Sequence, residues 1–595
     1  MDTVLYCAII MNMSDVTGHN LELGPGAKSK LLPLKEAVRR YVKPGMKLHL
    51  AGGIGGPSAA ICEIIRQYYG TTPGFVLIQS TVSGHAINLL HCNLVKKLIF
   101  SACADISTSG RPSKIMQKIW AEKSVELENW SLCSLQQRLM AGALGVSFMP
   151  TRSMARSSMA LDNKESFQEI DDPFEGEAKV GLVKAINPDI SIVHGCVSDA
   201  HGNTILAVPY GDDLWGPLAS NNGVLVSVEK IVPTDFIRKY AALVKIPGHI
   251  VNVVSVAPLG VHPFSLANPG ISDFNAYETD TEFLQELHRA SVDSRKLDTW
   301  IKEWVIDCAT PEGYLSKLGN QRIKALQQIT TRGAERHDLL VTASSPEPEP
   351  EYSLEEMMLI VAAREITRSV LKFKHRLVLT GAGSGAIAVS LAYYQLRAKG
   401  YELELITGNG QIGYQPQAAP LGAQSVAGVY SSKMLTDTVT THGVFVGGKN
   451  SKCLSVLGAG QIDKHGNVNS TTTSEGQFLV GSGGANDAAN AHEVIVILNQ
   501  SQDRFRETLP YVTCLGDRVT TVVSTMGVFT KLTGNGELHL AACFPDPKLS
   551  SLEDEIRQVQ DHCGWPLKLA DKVEEVSKPA PDELKLLRWL MPSRS

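Results

Sequence analysis

Two five-residue segments constrain the fold of this 595-residue chain more than any other feature. Segment 199–203 reads Asp-Ala-His-Gly-Asn and segment 463–467 reads Asp-Lys-His-Gly-Asn, and each follows an apolar run. A glycine-rich loop lies upstream of each one, at 52–56 and at 381–385. Because strand, glycine loop, strand and turn occur twice in the same order, the sequence predicts two tandem, homologous α/β domains. His201 and His465 are interpreted as turn residues.

Proline and glutamate alternate from 346 to 351, a pattern that suits neither a helix nor a central strand. This predicts an exposed linker at 344–352 between domains at 1–343 and 353–595. The first copy is longer than the second, and we interpret its extra residues as an insert at about 105–175. The insert is expected to contain a helical stretch and a polar loop.

Composition and charge exclude several classes of protein. The chain is 43% hydrophobic and 20% charged, with a net charge of -5 and no basic block suited to nucleic acid or an anionic membrane. Its 11 cysteines are spread singly, so we expect reduced thiols in a cytoplasmic protein and no metal site. The apolar run at 4–11 fits neither a signal peptide nor a membrane span.

One turn is the first candidate for chemistry. An apolar strand at 403–406 ends in Thr407-Gly408-Asn409-Gly410, which predicts a turn with positive φ. Proteins of the α/β class commonly place their sites at the carboxyl ends of strands. This turn nevertheless lacks an acid, a thiol and a histidine, and Thr407 carries its only hydroxyl.

Two further glycine-rich segments offer backbone N–H groups to a ligand. The loop at 52–56 precedes a helix and could contact an anion or an oxyanion, or could be a tight turn without a ligand. Residues 482–487 open another helix and could contact a phosphate or a thioester. Alternatively, Asn486 or Asp487 caps that helix.

The order of these motifs resembles the family I CoA-transferases, and most closely the glutaconate CoA-transferase branch. The resemblance extends over nearly the whole chain and is carried by segments 52–55, 107–112, 138–150, 187–203, 381–385, 458–467 and 481–487. It implies fused A-like and B-like domains with the active site between them. It also implies no permanently bound cofactor, an acyl thioester of coenzyme A or phosphopantetheine as substrate, and a homodimer.

The resemblance also implies roles for particular residues. The family's catalytic glutamate lies in a turn similar to 407–410, where this chain has Gly408, which cannot form the covalent intermediate. The implied catalytic residues are Thr407, Gly408, Asn409, Gly410 and, as a displaced carboxylate, Glu475. The implied oxyanion or thioester contacts are Gly53, Ile54, Gly55, Ser80 and Ser83. The implied CoA contacts are Gly381, Gly383, Gly483, Gly484, Ala485, Asn486 and Asp487.

Three functions remain open on this basis. The first is decarboxylation of a glutaconyl-type thioester, as in family relatives that lack the glutamate and rely on a cysteine. The second is CoA transfer to a carboxylic acid through Glu475 or another displaced carboxylate. The third is acyl-thioester binding without catalysis. Cys196, Cys453 and Cys514 are expected in the core.

Overall fold

The computed structural model describes residues 29–52, 56–103, 112–174, 176, 179–335, 351–381, 383–417, 425–532, 536–546, 549 and 551–591. The apolar run at 4–11, the loop residues Gly53, Ile54 and Gly55, and linker residues 344–350 lie outside these ranges. The domain bounds at 343 and 353 therefore stay predictions.

The first half is built on a sheet whose parallel strands run in the order β12-β10-β8-β1-β2-β3-β4. Short antiparallel strands β9 and β11 extend it beside β8, and β5, β7 and β6 form a separate antiparallel sheet. The strands of this half are β1 (Lys47–Leu50), β2 (Phe75–Val82), β3 (Val95–Cys103), β4 (Glu126–Asn129), β5 (Phe148–Thr151), β6 (Phe167–Asp171), β7 (Lys179–Lys184), β8 (Ile190–Ser198), β9 (Thr204–Ile205), β10 (Val224–Ile231), β11 (Val244–Ile246) and β12 (Val251–Val256).

The second half contains a sheet in the order β16-β15-β14-β13-β17-β20-β21-β22-β23-β24, of which β14 to β21 are parallel. A small hairpin of β18 and β19 lies outside it. The strands are β13 (Leu377–Thr380), β14 (Glu404–Thr407), β15 (Gln411–Ile412), β16 (Met434–Leu435), β17 (Cys453–Gly458), β18 (Gln461–Ile462), β19 (Val468–Asn469), β20 (Glu493–Leu498), β21 (Val519–Ser524), β22 (Gly527–Lys531), β23 (Leu538–Cys543) and β24 (Lys568–Glu575).

Helices connect the strands and cover both faces of each sheet. Leu77 and Ile78, neighbours on β2, belong to different buried clusters, as do Val378 and Leu379 on β13. The α-helices are Leu34–Tyr41, Ser58–Tyr68, His85–His91, Lys114–Glu122, Leu132–Leu144, Ser158–Asp162, Trp215–Ala219, Thr234–Lys239, Thr281–Ser291, Ser294–Ile301, Pro311–Leu318, Asn320–Glu335, Leu354–Phe373, Ser384–Ala398, Val426–Ser431, Ala485–Ala488, Leu552–Asp561 and Pro581–Leu590. Within the described ranges, none is long and apolar enough to cross a membrane.

The two sheets repeat one topology, which confirms the predicted pair of α/β domains. Strand order β2-β1-β8-β10-β12 in the first half corresponds to β14-β13-β17-β20-β21 in the second. In both copies the first strand of the half leads into the glycine loop, and the central strand that pairs with it, β8 or β17, precedes the repeated pentad.

The pentads form the same turn in both halves. Asp199 accepts hydrogen bonds from the backbone of His201 and Asn203 and from the Asn203 amide, at 2.9–3.0 Å. The equivalent bonds to Asp463 measure 2.8–2.9 Å. Only the backbone N–H of each histidine enters these bonds, which confirms the turn interpretation.

The expected polar loop in the insert is wrong. This segment contains the helix Ser158–Asp162 and β6, which pairs with β7. Only Phe167 of β6 is buried, so four exposed residues gave the strand the composition of a loop. The helical stretch before it is also interrupted by β4, at the edge of the main sheet.

We expect Asp463→Ala to destabilise the second half by about 2 kcal/mol, because three donors lose one buried acceptor. The shift of the urea unfolding midpoint measures this loss. His465→Ala is the matched control, since its side chain is exposed, and should unfold like the wild type. Equal unfolding of both variants would contradict the turn role.

Candidate active site

The two halves meet where their strands end. The turn after β14 faces residues 210–213 of the first half. Two backbone hydrogen bonds join these segments, from Tyr210 N–H to the Thr436 carbonyl at 3.1 Å and from Thr438 N–H to the Gly211 carbonyl at 3.0 Å. The carboxyl ends of parallel strands from both sheets therefore line one junction, the position at which α/β proteins commonly bind ligands.

The loop 481–487 closes another part of the junction. Gly481 pairs with Ala102 at the end of β3, and Gly483 N–H donates to the Ser101 carbonyl at 3.1 Å. The Gly483 carbonyl accepts from Leu132 N–H at 3.0 Å. These bonds fix the loop against the first half.

The side chains of Asn486 and Asp487 also bind the first half. Asp487 is buried and accepts from the hydroxyls of Ser131 at 2.6 Å and Ser153 at 2.5 Å, and from Cys133 N–H at 2.9 Å. The Asn486 side-chain oxygen accepts from Met154 N–H at 2.6 Å. The helix Ala485–Ala488 begins at Gly484 without a side-chain cap, so the capping interpretation of Asn486 and Asp487 is wrong. Their role in CoA binding stays a prediction.

The turn 407–410 has the predicted positive φ at Gly410, where φ is +107°. A β-carbon there would lie 2.2 Å from the Thr436 carbonyl oxygen, so only glycine fits. The Thr407 hydroxyl donates to the Asn409 side-chain oxygen and accepts from Gln411 N–H at 3.1 Å. These two bonds hold the hydroxyl within the turn.

His442 occupies the space next to Gly408. A β-carbon at Gly408 would lie 2.8 Å from His442 Nε2, and one at Gly484 would lie 3.0 Å from the same atom. The imidazole is buried in the π-helical turn Thr440–Val446, and neither ring nitrogen has a hydrogen-bond partner among the described residues. Burial lowers the pKa of His442, although the charge of Asp487 opposes this. A neutral imidazole therefore lies where a side chain at 408 would project.

Two adjacent carboxyl groups lie on the first-half side of the junction. Burial raises the pKa of Asp212 to about 6, although the hydroxyls of Thr438 and Ser80 lower it in part. Burial, followed by the charge of Asp212, raises the pKa of Asp213 to about 8 against the opposing effect of the Gly52 backbone. One oxygen of each aspartate lacks a hydrogen-bond partner within the described part of the chain. The pair can therefore hold and release a proton near neutral pH.

Cys133 lies at the same junction but is not activated. Its sulfur would be 3.8 Å from a β-carbon at Gly443, next to His442. Burial raises the pKa of the Cys133 thiol, and the charges of Asp487, Asp437 and Asp212 raise it further. The thiol is protonated at neutral pH, so it is not a ready nucleophile.

The other predicted residues lie in different environments. Ser80 is buried and accepts from the Gln136 amide at 3.0 Å, and Ser83 is also buried. Gly383, with φ of +69°, precedes the helix Ser384–Ala398, and a β-carbon at Gly381 would lie 3.2 Å from the Val456 carbonyl oxygen. Ala485 begins the short helix beside Gly484.

Glu475 lies in an exposed turn in which Gly476 N–H donates to the Thr473 carbonyl at 3.0 Å. No contact found for the described residues joins it to the turn 407–410, so its role as a displaced carboxylate stays a prediction. Sequence reasoning missed His442, Asp212, Asp213 and Cys133. The adjacent acids at 212 and 213, following Gly211, were the one local signal that could have found them.

Comparisons with known proteins agree with this architecture. The Coenzyme A transferase family model matches residues 32–257. The A-type polypeptide of glutaconate CoA-transferase from Acidaminococcus fermentans is 26% identical over 328 residues, which covers 51% of this chain and 97% of that polypeptide. The B-type polypeptide of 3-oxoadipate CoA-transferase from Pseudomonas knackmussii is 29% identical over 262 residues, which covers 40% of this chain and 93% of that polypeptide.

A solved structure matches almost the whole chain. The apoenzyme of an acyl-CoA transferase from Escherichia coli has a TM-score of 0.63 and 16% sequence identity, and the match covers 96% of this chain and 97% of that one. The fold is therefore that of a CoA-transferase, with relatives of both polypeptide types joined in one chain. The chain belongs to the family I CoA-transferase-like proteins.

We expect Gly408→Ala to destabilise the protein by about 1–3 kcal/mol, because the added methyl group displaces the His442 ring. His442→Ala should remove most of this cost, so the double variant should be more stable than the two single changes predict together. Urea unfolding of the four proteins measures the coupling. Gly458→Ala is the control, since a β-carbon there meets nothing within 4 Å. Additive effects at 408 and 442 would contradict the contact.

The raised pKa of Asp213 predicts a pH dependence of stability. The folded protein binds this proton more tightly than the unfolded chain, so the contribution of Asp213 to stability falls as pH rises from about 4 to about 8. Asp213→Asn should flatten this decline, with its largest gain over the wild type near pH 8. Urea midpoints at several pH values test this expectation, and a parallel decline in both proteins would contradict it.

Proposed function

We propose that this protein processes acyl-CoA thioesters without a glutamyl-thioester intermediate, and that its reaction is decarboxylation of a glutaconyl-type thioester. The observation that carries the proposal is the contact between Gly408 and His442. The turn that resembles the family's catalytic turn has no side chain, and a neutral imidazole fills the adjacent space.

The arrangement suits proton transfer better than acyl transfer. Acyl transfer through an anhydride needs an ionised carboxylate that can reach the thioester carbonyl. The turn 407–410 contains none, and the Cys133 thiol is protonated. The junction instead contains a neutral imidazole and two carboxyl groups with raised pKa values.

Decarboxylation uses these features in a simple sequence. The carbon–carbon bond to the carboxylate breaks, CO2 leaves, and the electron pair passes through the double bond into the thioester carbonyl. Backbone N–H groups that face the resulting oxyanion stabilise it, which is the role expected of Gly53 and Gly55. A carbon of the dienolate then takes a proton, which protonated Asp213 can supply and recover from solvent.

Buried polar atoms support a ligand at this junction. Gln79 is fully buried, and neither atom of its amide group has a partner among the residues that the structure describes. Unpaired buried polar groups are costly unless a ligand or water satisfies them. Gln79 lies beside Gly56, at the end of the glycine loop, where the thioester is expected to bind.

The first test uses glutaconyl-CoA with and without acetate, followed by mass spectrometry of the products. We expect a four-carbon butenoyl-CoA and CO2 in the absence of acetate. Asp213→Asn should slow this reaction about 100-fold, the scale of a lost proton donor. Glu475→Gln is the matched control and should leave the rate unchanged. Acetyl-CoA formed only with acetate would contradict decarboxylation and support a displaced carboxylate.

A gain-of-function test addresses the space next to Gly408. Gly408→Glu alone should not create CoA-transferase activity, because its β-carbon collides with His442. Gly408→Glu combined with His442→Ala should create transfer from glutaconyl-CoA to acetate, with His442→Ala alone as control. Transfer by the single Gly408→Glu variant would show that the imidazole does not block the nucleophile's position.

A further inference from the structure

A cleft at the boundary between the two halves lies outside the junction described above. It has a volume of about 180 Å³. Residues of the loop after β5 form one side, and residues of the helix Ala485–Ala488, its following turn and the loop before β21 form the other. The lining residues are Arg152, Met154, Ala155, Arg156, Asn486, Ala489, Asn490, Leu515, Asp517 and Arg518.

The cleft is strongly basic in a chain that is acidic overall. Arg152, Arg156 and Arg518 line it from separate segments, and Asp517 is the one acid among the lining residues. Asp517 pairs with Arg156. In the described part of the chain, Arg152 and Arg518 have no ion-pair partner, so two guanidinium charges face the cleft uncompensated. Guanidinium groups bind phosphates through paired N–H donors.

The floor of the cleft differs from its rim. Met154, Ala155, Ala489 and Leu515 provide an apolar surface, while the amide groups of Asn486 and Asn490 lie beside them. An aromatic base can lie on such a surface or stack on a guanidinium plane while attached phosphates reach the arginines. The lining therefore suits a nucleotide better than an isolated inorganic anion.

Short hydrogen-bonded links connect this cleft to the candidate active site. Arg152 donates to the Gly447 carbonyl at 2.8 Å, and Gly447 N–H donates to the His442 carbonyl at 2.9 Å. On the opposite side, Gly484 contacts the His442 ring, and Asn486, two residues later, lines the cleft. A ligand whose charged end occupies the cleft would thus have its other end directed toward one neighbourhood of His442.

We propose that this cleft binds the phosphates of the nucleotide end of free coenzyme A. The inference rests on the proposed function, since it concerns the same acyl thioester. It deepens that function by identifying the thiol carrier. A phosphopantetheine arm on a carrier protein has no adenine nucleotide with which to fill the cleft, whereas coenzyme A carries a diphosphate and a further phosphate on its ribose.

The test is isothermal titration of the full chain with coenzyme A, dephospho-coenzyme A and pantetheine. We expect coenzyme A to bind the wild type at least tenfold more tightly than pantetheine. Arg518→Gln should weaken coenzyme A binding about tenfold, the scale of one phosphate contact near the surface. The same change should leave pantetheine binding unaltered, and Arg518→Lys should restore part of the loss.

The matched control is Arg557→Gln, an exposed arginine on the helix Leu552–Asp561 of the same half, which should bind all three ligands as the wild type does. Coenzyme A binding that is equal in the wild type and Arg518→Gln, or no tighter than pantetheine binding, would overturn the cleft assignment and leave the proposed function intact. Binding of neither ligand to the wild type would overturn both.

Discussion

The carboxylate of Asp487 is the interaction on which the rest of the junction depends. It is buried and takes three hydrogen bonds, all from residues of the first half, although it belongs to the second. A buried carboxylate is costly unless such donors surround it, so separating the halves would exchange three good bonds for an exposed loop. The same charge acts on His442 and on Cys133. Docking of the halves and the electrostatics of the site are therefore one problem.

Features with local chemistry were predictable from the sequence. The pentads at 199–203 and 463–467 fold alike because an aspartate, a glycine and an asparagine at fixed spacing make a closed set of hydrogen bonds. The capping box at Ser353 and Glu356 begins a long helix for the same reason. Repetition of these signals was enough to predict the tandem domains.

Features that depend on packing between distant segments were not predictable. The space next to Gly408 could be read as empty from the sequence, because nothing in the turn indicates that a histidine 34 positions later fills it. The partners of Asp487 come from three separate segments of the first half, so no spacing predicts them. The strand β6 was missed because its exposed face is polar. Burial, which raises the pKa values of Asp212 and Asp213, is likewise a property of the assembled halves.

The fused chain has a consequence for how this protein behaves at low concentration. The relatives of its two halves are separate polypeptides, whose shared site is lost when they dissociate. Here residues 210–213 and the turn 407–410 belong to one polypeptide, so each half meets the other at an effective concentration set by the tether. The junction between the halves should therefore persist on dilution, and the two halves are always made in equal amounts.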